Sequence, residues 1–570
     1  MTKNKSLLAA GVSLSFLTLI SRILGLLREM TKSRFLGTSV YADAFAIAFM
    51  IPNLFRRLFA ENSISVAFIP TFREYLARND DDATKETKEF VSATLTLVTF
   101  LTAIVVSIGI VLSPKIVPFF YKGDEPFVLS EMTFLTRIMF PYLFVISVAA
   151  FFQGVLNGVK IFAPSGFTPI LFNSIVILST YALSPFMENP ARAMAVGVTA
   201  GGIVQAGFQL PFVIRTNWVK GFSSLKKAFT NKGTRKVCAL IVPTIIGMAA
   251  YQLNDAVSTA LAGNATTGTV SSLQYSLRLQ ELILGIFAVS IGAVILPDLS
   301  AMAKSKEWDD FNKMLSQAMK IIALICVPVT FFSLITGTQI ISLVYKSKSF
   351  NDESVKMTLS AFRFHIAGLF FIALNRIVSP AFYAQGDTKS PTIAGIFGFI
   401  VNIALALALV RPYGGAGIAL ALSIASFANT LALLFFLRRN EKINVKTVAF
   451  ETFFYAIKLA LFSVAASYPT FVLKNFLAEI LKGKSKLFEF GVPLFACAVL
   501  FAILGIALLA ISRDKIFWTI FRKIKKKIKS YYKEEKNEKL HKRRNRTNLQ
   551  IASGKTLRIF ENERNFCRAF

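Results

Sequence analysis

The chain has 570 residues, 54% of them hydrophobic and only 17% charged, with a mean hydropathy of +0.56 and a formal net charge of +32. A soluble domain carries about 25% charged residues, and a soluble chain of this length would divide into domains joined by polar linkers. The composition therefore excludes a soluble multidomain protein, and it assigns the positive excess to cytoplasmic loops and a basic tail rather than to a nucleic-acid interface.

Apolar runs of about 18 residues or more read as membrane-spanning helices, because lipid offers no partner to exposed backbone groups. Fourteen such segments are predicted, at 6–28, 40–68, 90–113, 132–157, 164–184, 191–214, 237–262, 270–298, 316–343, 359–384, 391–410, 415–437, 448–473 and 487–512. Residues 1–5 are basic and precede the first run. Arg22 and Arg28 near its end, and the lack of a small-residue cleavage site, make it a first span rather than a cleaved signal. The class expected is an all-α polytopic membrane protein.

With the N-terminus placed in the cytoplasm, the inside loops carry 22 Lys and Arg before the tail and the outside loops 12. That bias, with an even span number, puts both termini in the cytoplasm. The most basic inside loop is 215–236, with seven.

The chain also repeats itself. Ala67-Phe68-Ile69-Pro70 closes the second span much as Ile295-Leu296-Pro297 closes the eighth. Phe151-Phe152-Gln153-Gly154, Pro164 and Asn173 have counterparts in Phe382-Tyr383-Ala384-Gln385-Gly386, Pro391 and Asn402. Two related six-span halves are a design used by transporters, with the substrate between the halves. The expected division is an N-terminal lobe at 1–215, a C-terminal lobe at 216–440, an extra pair of spans at 441–512 and a basic tail at 513–570. That tail holds 19 Lys and Arg against 6 Asp and Glu. Its start, 516–532, reads as an interfacial basic amphipathic helix, with a solvated tail as the alternative.

Charges at membrane depth are costly and usually mark function. The first span ends in Ser21-Arg22 and Arg28-Glu29. The second carries Asp43, Asn53, Arg56, Arg57, Glu61 and Asn62, the seventh Gln252, Asn254 and Asp255, and the eighth Arg278 and Glu281. Arg57 and Glu61 are spaced to pair along a helix, as are Arg278 and Glu281. Arg22, Arg28, Arg56 and Arg278 then stand as candidates to face one cavity. Several guanidiniums in a dehydrated cavity repel one another unless an anion joins them, and their planar forks suit phosphate. The competing reading is snorkelling or ion-paired arginines at helix ends.

No metal or catalytic set is visible. Cys238, Cys326, Cys497 and Cys567 form no CxxC pair, His365 and His541 lie far apart, and GxSxG, Walker A and HExxH are missing. Asp80-Asp81-Asp82 reads as a solvated loop. A membrane enzyme acting on polyprenyl lipids would need acidic metal ligands or histidines on cytoplasmic loops. A drug exporter would have a more apolar or acidic cavity, and a scaffold no reason to keep core arginines.

Ser21-Arg22-Ile23-Leu24-Gly25, Arg28, Asp43-Ala44-Phe45, Pro52-Asn53-Leu54-Phe55-Arg56-Arg57-Leu58-Phe59-Ala60-Glu61 and Ala67-Phe68-Ile69-Pro70 closely resemble the N-terminal signature of the MurJ (MviN) lipid II flippases. Gly154-Val155-Leu156-Asn157, Arg278-Leu279-Gln280-Glu281 and Ala381-Phe382-Tyr383-Ala384 with Asp387-Thr388 resemble the family as well. The resemblance implies membership of the multidrug/oligosaccharidyl-lipid/polysaccharide exporter superfamily. It implies fourteen spans in two lobes, a last pair forming a groove for a lipid tail, and movement of lipid-linked peptidoglycan precursor from the cytoplasmic to the outer leaflet by alternating access.

On that resemblance Arg22, Arg28, Arg56, Arg278, Ser21, Asp43 and Asn53 are the substrate-binding candidates, with Arg57, Glu61 and Glu281 behind them. Glu29 departs from the family's commoner Asp, Asn62-Ser63-Ile64-Ser65 from Gly-Ala-Phe-Ser, and Gln280 from an apolar residue. A lipid II flippase of the bacterial inner membrane is expected, working as a monomer on undecaprenyl-diphosphate-linked substrate among membrane lipids. It would need no cofactor beyond coupling to the membrane potential or an ion. A flippase for another polyprenyl-diphosphate sugar fits the arginines equally well.

Overall fold

The computed structural model describes residues 2–522 and 525, apart from 62, 63, 79, 80, 122 and 124. Side chains are described in the same range except at 2–16, 59–65, 81–83, 243, 244, 246–251 and 286–294. Residues 1–501 form one compact unit and residues 502–570 a second.

The first unit opens with α1 (Thr2–Leu36), which stops at Gly37, where φ is +58°. A Cβ at Gly37 would meet the backbone of Ser349, so only glycine fits this turn. α2 (Val40–Phe55) follows. The span expected at 40–68 is not one regular helix: past Pro52 it widens into π-helical stretches, Arg56–Glu61 and Ile64–Phe68, before α3 (Ile69–Leu76). Pro52 has no N–H to give the carbonyl of Ala48, and such gaps in the ladder favour local π geometry, frequently at functional sites.

α4 (Asp81–Ile116), α5 (Pro126–Gly158), α6 (Ala163–Leu183) and α7 (Pro190–Arg215) complete the first half. In α4, Thr94, Thr96, Thr99 and Thr102 each bond the carbonyl four residues back, which satisfies their hydroxyls inside an apolar helix. Then come the short α8 (Leu225–Thr230), α9 (Lys232–Gly263), α10 (Thr269–Ser305), α11 (Trp308–Tyr345), α12 (Asp352–Ala367) and α13 (Leu369–Tyr383). α14 (Lys389–Leu437), α15 (Val445–Ile480) and α16 (Val492–Ile511) close the series. Side-chain caps fix several starts. Asn189, Ser224, Asn231, Asn351 and Asn444 each accept a backbone N–H from the first turn of the helix they precede. Asp387 accepts from the N–H groups of Lys389 and Ser390 ahead of α14, and the bonds from Ser390 hold its carboxyl below the usual aspartate value.

Among the described residues, eight helices are long and apolar enough to cross a membrane: α4, α5, α6, α7, α11, α14, α15 and α16. α12 and α13 add a ninth as one pair bent by 42°. α14 holds two of the fourteen expected segments, joined at Gly414, whose φ of 54° and ψ of −133° are open to glycine alone. α1, α2, α9 and α10 are not among the eight. They carry the arginines, carboxylates and amides described below; α2 is only 16 residues long, and α1, α9 and α10 each include side chains outside the described set.

One core joins α2, α5 and α7 through Ile47, Met132, Phe140, Leu143 and Met194. A second joins α10, α11, α12 and α13 through Tyr275, Phe311, Tyr345, Phe362 and Ile377. α15 exposes Phe450, Phe453, Phe454, Leu461 and Phe476, as a lipid-facing helix should. In the second unit, Asp514 caps a short helix at 515–522 by accepting from Ile516 and Phe517, and the rings of Phe517, Trp518 and Phe521 pack together. Of the interfacial helix expected at 516–532, the part after 522 lies outside the described residues, except 525.

Candidate substrate cavity

Two cavities meet between the halves of the first unit. The larger, of about 1210 Å³, is lined from α1, α2, α9, α10 and α13 among others. The smaller, of about 550 Å³, lies mainly against α1, α2, α5, α6 and α10. Arg28, Asn53, Arg57, Arg278, Glu281 and Arg376 line both.

α1 brings Arg28 and Glu29 to this junction, and the pair is direct: Arg28 Nη2 lies 2.8 Å from Glu29 Oε1. The same carboxylate oxygen is 3.7 Å from Arg278 Nη2 of α10, so Glu29 links guanidiniums from the two halves. Arg278 also pairs with Glu281 at 3.0 Å, as their spacing predicts. Arg28 lies over the ring of Phe172 on α6, 5.7 Å from its centroid. One turn past Arg28, the buried Lys32 donates to Gln274 of α10 at 2.8 Å.

Ser21 and Arg22 line the smaller cavity. The Ser21 carbonyl accepts from Asn173 of α6 at 3.4 Å. Arg22 packs its guanidinium onto Gly285, where a Cβ would collide with it. Arg56 lines the same cavity and donates through Nε to Asn53 Oδ1 at 2.8 Å. Arg57 reaches across to α9, bonding Asp255 at 3.0 Å and Gln252 at 3.5 Å. The side chain of Glu61, its expected partner, lies outside the described residues.

Asp43 lines neither cavity. It is buried at the start of α2 and accepts the N–H groups of Gly268 at 2.7 Å and Ser271 at 2.8 Å, capping α10 from the other half. Two cavity cations were not singled out from the sequence. Arg376 lies within the apolar run 359–384, where an arginine is itself a signal. Lys32 lies past the span predicted at 6–28, and its bond to Gln274 and its place in the lining show that it faces inward.

The lining thus sets Arg22, Arg28, Lys32, Arg56, Arg57, Arg278 and Arg376 against Glu29, Asp255 and Glu281. Amides surround them: Asn53, Gln252, Asn254, Gln274, Asn375 and Asn429 in the larger cavity, and Gln153, Asn173 and Gln205 in the smaller. A chamber of this kind can hold a multiply charged anion attached to a polar sugar or peptide group.

Comparison with known proteins identifies the family. The profile of the family described as lipid II flippase MurJ matches residues 32–491. A probable lipid II flippase MurJ of Treponema pallidum is 47% identical, over 92% of this chain and 99% of its own length. A solved structure of lipid II flippase MurJ in an inward closed conformation shares the fold with a TM-score of 0.72 at 24% identity, covering 89% of this chain and all of that one. An inward-facing multidrug transporter of the MATE family aligns with a TM-score of 0.61 at 16% identity, over 75% of this chain and 95% of its own. The chain belongs to the lipid II flippase MurJ family.

Proposed function

We infer that this protein is a lipid II flippase, a transporter and not an enzyme. It carries lipid-linked peptidoglycan precursor from the cytoplasmic to the outer leaflet of the bacterial inner membrane. It acts as a single chain with both termini in the cytoplasm. The observation that carries the reading is the Arg28–Glu29–Arg278 bridge inside a cation-rich cavity. A diphosphate entering there competes with Glu29 for both guanidiniums, and an Arg–phosphate contact can be bidentate where a lysine offers a single point charge. Arg22 and Arg56 offer further donors in the adjoining cavity, and the surrounding amides suit sugar and peptide. The prenyl chain stays in lipid while the headgroup crosses.

Alternating access follows from a substrate held between two halves. The cationic side chains of the cavity make the cycle sensitive to the membrane potential, at about 2.3 kcal/mol per charge per 100 mV. Flipping that continues unchanged after the potential is collapsed would remove this coupling.

Growth of a bacterium depleted of its own lipid II flippase tests the assignment. The wild-type protein should restore growth, whereas Arg28→Ala and Arg278→Ala should fail at normal membrane levels, and Arg22→Ala, Arg56→Ala and Arg376→Ala should rescue poorly. Full rescue by every arginine variant would sink the cavity mechanism. Failure of a well-expressed wild type would point to a different polyprenyl-diphosphate sugar, the second reading that the arginines equally support.

A further inference from the structure

Lys and Arg concentrate in cytoplasmic loops, so loops on the other side should hold few. Two of the loops assigned outside break that pattern: 344–358 carries three lysines and 474–486 carries four. The fold brings them together. Lys486 Nζ donates to the carbonyl of Lys346 at 2.6 Å, and the Lys346 ammonium lies 5.3 Å from the centroid of Phe490. The Ser347 hydroxyl donates to the carbonyl of Ser33 at 3.3 Å, beside Arg34 of α1, whose guanidinium lies over the ring of Tyr181, 5.8 Å from its centroid. Burial and the Arg34 guanidinium hold the Lys486 ammonium below the usual lysine value, so the two cations lie within reach of each other's field. The opposite end of the fold is marked by the 215–236 loop, where Lys236 pairs with Glu74 of α3.

Asp352 pairs with Lys346 at 2.5 Å. Lys348, Lys482 and Lys484 are exposed and have no carboxylate partner among the described residues. Cations crowded at a membrane edge raise one another's energy unless an anion joins them. The neighbouring segments also expose Phe476, Ile480, Leu487 and Phe488. Ammonium heads beside an apolar surface complement a lipid, with phosphate at the heads and hydrocarbon against the rings.

We propose that Arg34, Lys346, Lys348, Lys482, Lys484 and Lys486 form a binding site for the phosphate headgroup of a membrane lipid at the outer end of the protein. If the ligand is the transported lipid, an assignment that rests on the flippase reading, the site receives the diphosphate as it leaves the cavity. If it is a bulk anionic phospholipid, the site anchors this edge in the outer leaflet. Lipid phosphate is the chemistry common to both.

Native mass spectrometry of the full chain, titrated separately with undecaprenyl diphosphate and phosphatidylglycerol, tests the site. Lys348→Gln/Lys482→Gln/Lys484→Gln/Lys486→Gln is compared with a control set at the opposite end, Lys220→Gln/Lys226→Gln/Lys227→Gln/Lys232→Gln. Both sets are built on Arg28→Ala/Arg278→Ala, which weakens the cavity as a competing site and makes the result independent of flipping. The outer set should bind undecaprenyl diphosphate at least tenfold more weakly than the background, with the control set unchanged. Loss confined to the diphosphate identifies the transported class of lipid; equal loss of phosphatidylglycerol identifies any anionic lipid. Unchanged binding of both lipids by the outer set overturns the site, and so does an equal loss in the control set.

Discussion

Glu29 sits 2.8 Å from Arg28 and 3.7 Å from Arg278, one carboxylate shared by two guanidiniums. Removing either guanidinium leaves that buried carboxylate poorly compensated, so each substitution acts on both the empty cavity and the ligand-bound one. Membrane levels must therefore be read beside growth. Arg22 offers a cleaner case, because its position depends on a residue that carries no charge. A Cβ at Gly285 would collide with the Arg22 guanidinium, while one at Gly395 meets nothing within 4 Å. Gly285→Ala should lower flippase rescue several-fold at normal membrane levels. Gly395→Ala, which gains helix propensity worth about 0.5–1 kcal/mol, should rescue fully. Equal rescue by the two variants would mean that Arg22 need not stand against α10.

At the level of elements, the start of α10 is held by a side chain from another helix. Gly268 adopts a φ of +87° as the chain turns into α10, and Asp43 of α2 takes up its N–H and that of Ser271. Asp43→Ala leaves two buried donors without an acceptor, at a cost of about 3 kcal/mol. The expected result is a lower melting temperature for the purified protein, with Asp43→Asn falling between. A melting temperature unchanged by Asp43→Ala would show that water replaces the carboxylate and that the cap does not join the halves. Asp43 thus joins α2 to the start of α10, the helix that carries Arg278.

At the level of the whole first unit, the halves meet through paired polar contacts beside Gly37. Thr38 Oγ1 and Ser354 Oγ are 2.7 Å apart, and the buried Tyr275 hydroxyl donates to the Gly37 carbonyl at 3.0 Å. Side chains that close suit a disulfide, whose Cβ atoms sit about 3.8 Å apart. Thr38→Cys/Ser354→Cys should therefore cross-link under oxidation, stop flipping, and recover when reduced. Flipping that persists in the cross-linked protein would show that the halves need not part at this end. The repeat also has a physical counterpart: Asn173 of α6 donates to Ser21 of α1, and Asn402 of α14 donates to Asn254 of α9 at 2.7 Å. Each half thus ties its fifth predicted span to its first through an asparagine amide, donating to a backbone carbonyl in one half and to a side-chain carbonyl in the other.

The sequence by itself determined the class, because long apolar runs have no soluble alternative, and the motif block around Arg22 to Glu61 pointed to the family. It exposed most of the cavity cations for the same reason: an arginine inside an apolar run is too costly to be incidental. Short spacings were legible too, as with Arg278 and Glu281, since helix periodicity alone brings them together. What crosses between helices was not legible. Tertiary structure decided that Glu29 bridges two arginines, that Arg57 meets Asp255, that Asp43 caps α10 and that Lys32 and Arg376 face the cavity. It also decided that lysines from loops more than a hundred residues apart share one surface. Such contacts depend on how each helix is rotated and offset against its neighbours, and that is set by packing over the whole bundle rather than by any local pattern.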